Sequence, residues 1–103
     1  MSTKIYNKLV RDRIPEIIRA NGEEPTTRIL NNNEYLQELV KKLDEEVAEF
    51  KADLSLEELA DIQEVVLALA DAIASRAKLE KLRLRKAEER GAFKDKIYLE
   101  RTE

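Results

Sequence analysis

Apolar residues recur along most of this chain at the three- and four-residue spacing of helices, not the alternation of strands. The longest stripe is Leu36, Leu39, Val40, Leu43, Val47, Phe50 and Leu54. It predicts a helix from about Asn33 to Asp53 with one continuous core-facing side. Asn31, Asn32 and Asn33 supply turn and capping residues before it. A second arc, Ile62, Val65, Val66, Leu69 and Ile73, predicts a helix opened by Ser55 and running to about Ala74. Ser55 with Glu58 three residues on has the form of a capping box. The pattern weakens from Ile73 to Lys78, where Ser75 is a possible cap. A fourth helix is expected from about Lys78 to Arg90, ending at Gly91, with Leu79, Leu82 and Leu84 on its apolar side. Near the start, Ile14, Ile17 and Ile18 line a short helix from Ile14 to about Asn21. Pro15 is tolerated in its first turn, and Gly22 suits its end.

Three stretches lean towards β structure. They are Lys4-Ile5-Tyr6, the segment Thr26 to Ile29, and Lys96-Ile97-Tyr98-Leu99. The last reads as a short strand able to pair with either of the others. The expected fold is all-α: an antiparallel helix hairpin plus flanking helices, a four-helix bundle with short terminal β segments, in one domain over residues 1–103. Composition agrees, with 43% hydrophobic and 40% charged residues and only two Gly and two Pro. Few turn residues argue against an all-β fold. A chain of 103 residues buries a modest core, so dimerisation through the apolar stripes is expected.

The chain has no Cys and no His. Disulfides, thiolate metal sites, the usual zinc sites and every Ser-His or Cys-His mechanism are thereby excluded. A metal must be held by oxygen, and a general base must be a carboxylate, Lys, Tyr or metal-bound water. No apolar run is long enough to span a bilayer, and the N-terminus lacks the apolar run of a signal peptide. The expectation is a cytoplasmic protein without a membrane partner.

Charge is unevenly placed. Asp44 to Glu64 holds Asp44, Glu45, Glu46, Glu49, Asp53, Glu57, Glu58, Asp61 and Glu64 against Lys51 alone. The flanking segments, Lys4 to Arg19 and Arg76 to Arg90, are basic. An acidic centre between basic flanks suits a metal site that also holds a polyanion. It also suits solvated helix faces that attract one another. The basic stretch Arg76 to Arg90 lacks an interleaved aromatic face, so nucleic acid is not expected as a partner.

Within the acidic centre, Glu46 with Glu49 and Glu58 with Asp61 are pairs three residues apart, each on one helix face. At about 100° per residue, Glu46 lies at the margin of the first apolar stripe and Glu49 one step further round. Glu45 points away. Glu58 falls inside the second apolar arc and Asp61 borders it. Carboxylates in such places are costly unless paired or bound to a cation. The short link between the helices puts both pairs at one end of the hairpin. Mg²⁺ is the hard cation such oxygens favour where a phosphate supplies the remaining ligands, with Mn²⁺ the alternative.

Glu45-Glu46-x-x-Glu49 followed by Glu58-x-x-Asp61 resembles the paired motif of the MazG-like, all-α nucleoside triphosphate pyrophosphohydrolase superfamily. Tyr6-Asn7-Lys8-Leu9-Val10-Arg11-Asp12-Arg13-Ile14-Pro15-Glu16 is similar to the N-terminal signature of a phosphoribosyl-ATP pyrophosphohydrolase-like subgroup. Arg85 to Phe93 is similar to that subgroup's basic C-terminal segment. Val65 stands where some members carry an Asn, and the gap between the two acidic motifs is short.

The resemblance implies Mg²⁺-dependent hydrolysis between the α- and β-phosphates, giving a nucleoside monophosphate and pyrophosphate. It implies Glu46, Glu49, Glu58 and Asp61 as metal ligands, with Glu45 behind them or orienting the attacking water. It also implies a dimer or dimer of dimers whose site a neighbouring subunit completes. Lys8, Arg11, Arg13, Lys86 and Arg90 are the candidate phosphate-binding residues. Salt bridges from Arg11 and Arg13, and helix-end placement of Lys86 and Arg90, are the plain structural alternatives. The alternative to an enzyme is a non-catalytic helical oligomerisation module.

Overall fold

The computed structural model describes residues 2–103. Its helices are α1 (Ile14–Ala20), α2 (Asn32–Ala52), α3 (Leu56–Ile73) and α4 (Arg76–Arg90). The protein is all-α, with no strand among the described residues.

Local chemistry explains each helix end. At the end of α1, the Gly22 N–H donates to the Arg19 carbonyl (3.0 Å) and the Glu23 N–H to the Ile18 carbonyl (3.2 Å). This double closure needs a left-handed residue, and Gly22 has φ +89°. α2 begins one residue before the expected Asn33 because Asn31 is the cap. The Asn31 side chain accepts from the Glu34 N–H at 2.9 Å, and the Glu34 carboxylate returns to the Asn31 N–H, a full capping box. Ser75 caps α4 by accepting from the Lys78 N–H at 3.1 Å, so α4 starts at Arg76, two residues earlier than expected.

The capping box expected at Ser55 forms only by half. Ser55 Oγ accepts from the Glu58 N–H at 3.2 Å. The Ser55 N–H is already given to the Asp53 carbonyl at 2.7 Å. The Glu58 carboxylate is therefore not a capping partner and is left for another task.

Asp53, Leu54 and Ser55 link α2 to α3, which pack as an antiparallel hairpin. Its most buried apolar side chains are Leu39 (3% exposed) and Val65 (8%). Leu36, Leu43, Val47 and Phe50 of α2, and Ile62, Val66 and Leu69 of α3, are half-buried around them. The apolar stripe is narrower than its spacing predicts. Val40 and Leu54 on the first helix side and Ile73 on the second face outward.

The β segments do not form. Ile5, Tyr6, Ile29, Ile97, Tyr98 and Leu99 are all exposed, and none belongs to a strand. Short apolar stretches gain strand structure only when a second strand satisfies their backbone groups.

α4 touches α3 alone, and the backbone of α1 comes close to no other helix. The radius of gyration is 18.2 Å, against about 13 Å for a compact chain of this length. The longest dimension is 65 Å, roughly twice the length of α2 at about 1.5 Å per residue. The elements are strung out from the hairpin, and Leu79, Leu82 and Leu84 of α4 keep substantial apolar surface in water. No helix among the described residues is long and apolar enough to cross a membrane.

Candidate metal centre

The hairpin turn brings the last turns of α2 against the first turns of α3. Glu46 comes from α2; Glu58 and Asp61 come from α3. One carboxylate oxygen from each lies within 4.8 Å of the others. Glu46 is buried, only 7% exposed, and Glu58 and Asp61 are half-buried. Glu46 sits seven residues after Leu39, on the same side of α2, so its carboxylate enters the apolar seam that Leu39 anchors.

Within these carboxylates, Glu46 Oε2 and Glu58 Oε2 are enclosed and have no hydrogen-bond partner. A buried acceptor without a donor is costly. Burial raises the Glu46 carboxyl above its ordinary pKa, and the neighbouring Glu49 and Asp61 add to this against the opposing pull of Lys42. Glu58 is also raised, by burial first and then by Asp61, Asp53, Glu46 and Glu57. Both shifts carry one sign for stability. The folded chain holds protons that the unfolded chain releases from about pH 4. The stability these groups contribute therefore falls as pH rises from there through their raised values.

Glu45 behaves oppositely. Lys8 Nζ donates to Glu45 Oε1 at 3.1 Å, and Lys42 Nζ lies 3.6 Å from the same atom. The Lys8 hydrogen bond lowers the Glu45 carboxyl, with Lys42 assisting. Glu45 thus stays ionised beside the cluster, and its contribution is lost only as pH falls through the lowered value.

The other candidate residues divide clearly. Arg11 Nη2 donates to Asp61 Oδ1 at 2.6 Å. Arg13 pairs locally with Glu16 at 3.0 Å and not with the hairpin. Glu49 stands on the exposed side of Glu46, outside the group of three. Lys86 and Arg90 are exposed on α4, and neither forms an ion pair among the described residues. Val65 belongs to the core and does not face the cluster from solvent.

Lys42 is the residue that the sequence reading overlooked. Its half-buried ammonium lies 3.5 Å from Glu46 Oε1. The signal was present as spacing, since Lys42 precedes Glu45 by three residues and Glu46 by four. Lys42 turns one Glu46 oxygen towards itself, and Glu46 Oε2 is the one left without a partner.

No protein-family model matches this chain, and no solved structure matches it. Over 45 residues it is 60% identical to an uncharacterized protein of Mycolicibacterium smegmatis (strain ATCC 700084 / mc(2)155). The match covers 44% of this chain and 46% of that protein, so it spans under half the relative's length.

The donor set suits a hard divalent ion. Oxygens on one octahedral Mg²⁺ at about 2.1 Å stand about 3 Å apart when adjacent and about 4.2 Å apart when opposite. The three carboxylates, within 4.8 Å, need only a small closure to share an ion. Such an ion would also satisfy the two orphaned oxygens. Glu46, Glu58 and Asp61 are the residues able to hold it, and Glu49 follows Glu46 by three residues on α2.

Proposed function

We propose that this protein is a Mg²⁺-dependent nucleotide pyrophosphohydrolase of the MazG-like type. Its substrate is a nucleoside triphosphate or phosphoribosyl-ATP, cleaved between the α- and β-phosphates to a monophosphate and pyrophosphate. The observation that carries the reading is the pair of enclosed, unpartnered carboxylate oxygens of Glu46 and Glu58 beside Asp61.

Hydrolysis of a phosphoanhydride needs charge neutralisation and an activated water, not a protein nucleophile. A bound Mg²⁺, or Mn²⁺, supplies both by polarising phosphate oxygens and lowering the pKa of water. Glu46, Glu58 and Asp61 hold it, with Glu49 closing the set. Glu45 remains ionised between Lys8 and Lys42 and accepts a hydrogen bond from the attacking water, orienting it. Lys8, Arg11 and Arg13 hold phosphate oxygens, and Arg offers two parallel donors to each phosphate.

In the MazG-like reading, Lys86 and Arg90 serve the site of a neighbouring subunit. The extended shape and the exposed leucines of α4 favour a homodimer or a dimer of dimers. The same exposed surface favours the second reading, a helical oligomerisation module without catalysis.

A nucleotide panel with Mg²⁺ separates the two. Pyrophosphate is the expected first product, at a rate abolished by chelation. Orthophosphate as the first product would refute the cleavage position. No release from any nucleotide, with a stable oligomer in solution, would favour the non-catalytic module.

A further inference from the structure

We propose that Arg11 is the resident counter-cation of the acidic cluster and is exchangeable. Its guanidinium leaves Asp61 when the cluster takes up a divalent ion, and then binds a phosphate of the nucleotide. The inference rests on the metal reading above and deepens it.

The N-terminal segment is tied to the hairpin at two points. Lys8 holds Glu45 of α2, and Arg11 holds Asp61 of α3, 37 and 50 residues away in sequence. Leu9 between them is half-buried. Asn7, at φ +45°, makes the bend from which the segment enters this seat; Asn accepts that conformation better than most residues. The segment therefore lies across both helices beside the site.

The two ties differ in what they compete with. Glu45 is not one of the three clustered carboxylates, so Lys8 keeps its partner when an ion binds. Asp61 is one of them, so Arg11 and the ion draw on the same carboxylate. A divalent ion places two positive charges next to the single charge of Arg11, and like charges at such separation repel strongly. The Arg11 side chain is 56% exposed. An ion pair so open to water contributes little and has an easy path outward. With Lys8 still anchored, the released guanidinium stays over the site, where its planar fork matches a phosphate.

Exchange gives Arg11→Ala opposite effects on two ligands. Removing the competitor tightens ion binding; removing the phosphate donor weakens nucleotide binding. A merely structural salt bridge would weaken both.

The test uses the full chain and Mn²⁺ as the probe, followed by calorimetry. Arg11→Ala is expected to bind Mn²⁺ several-fold more tightly than the unaltered chain. Its affinity for a Mg²⁺-nucleotide should fall by roughly tenfold, as for loss of a charge-assisted phosphate contact. Arg19→Ala, which breaks the distant pair with Glu24, is the control and should leave Mn²⁺ affinity unchanged. In the unaltered protein, saturating Mg²⁺ should shift the Arg11 Nε–H resonance to that of a free guanidinium. An unchanged or weaker Mn²⁺ affinity in Arg11→Ala would overturn the exchange while leaving the metal reading standing. No Mn²⁺ uptake by either chain would overturn the metal reading and the exchange together.

Discussion

Glu46→Gln should melt higher than the unaltered protein when no divalent ion is present, and lower when Mg²⁺ is saturating. The first effect follows from burial. Glu46 is enclosed, is raised by desolvation and by Glu49, and leaves one oxygen without a donor. An amide of the same shape removes the charge and adds an N–H₂ donor facing Glu58 and Asp61. Relief of this kind is typically worth about 0.5–2 kcal/mol, or several degrees in a chain of this length. The gain should be larger at pH 7 than near pH 4, where the carboxyl is already protonated.

The second effect follows from linkage. An ion bound only by the folded state stabilises by about 2.7 kcal/mol at a hundred times its Kd. Glu46→Gln forfeits that increment, with a fall in ion affinity of the order of 100-fold or more. Thermal melts with and without Mg²⁺ read both effects. A variant less stable than the original under both conditions would mean that Glu46 serves the fold and not a ligand.

Leu39→Ala should be the most damaging single change in the core. Leu39 is 3% exposed and shares the seam with Val65. Truncating a buried Leu costs about 2–5 kcal/mol, against a total stability of roughly 5–15 kcal/mol for a domain of this size. Urea unfolding should show a large drop in midpoint. Val40, one residue along and 50% exposed, should cost well under about 1 kcal/mol when changed to Ala. Equal losses at the two positions would show that Val40 is covered by a second copy of the chain, and would favour the assembled form.

The helices were legible because their signals are local. Apolar spacing, Pro15, Gly22, Ser55 and Ser75 each act within a few residues, and all four helices end within a residue of where those signals put them. Width was less legible. Val40, Leu54 and Ile73 fit an apolar stripe on a wheel, but a hairpin of two helices covers only the middle of that stripe. The terminal β segments do not form because a strand depends on a partner elsewhere, which propensity at Lys96 to Leu99 cannot report.

At the site, helical spacing was enough to place Glu46 and Glu58 towards the interior and Asp61 at the edge. It could not tell that the Ser55 N–H is already given to Asp53, which is what frees the Glu58 carboxylate. Nor could it show that Lys8 and Arg11 cross from the N-terminal segment to opposite helices, because such contacts depend on the tertiary path. Lys42 was within reach of the sequence through its spacing from Glu45 and Glu46.

The most direct measurement is calorimetric titration of Mg²⁺ into the unaltered chain and into Glu58→Gln. The cap of α3 uses the Glu58 backbone N–H and Ser55 Oγ, so the substitution leaves the helix start intact. Helix content by circular dichroism should therefore match in the two proteins. Saturable binding by the unaltered chain, lost in Glu58→Gln, is the predicted result. Equal binding by both, or none by the unaltered chain, would contradict a divalent ion held by Glu46, Glu58 and Asp61.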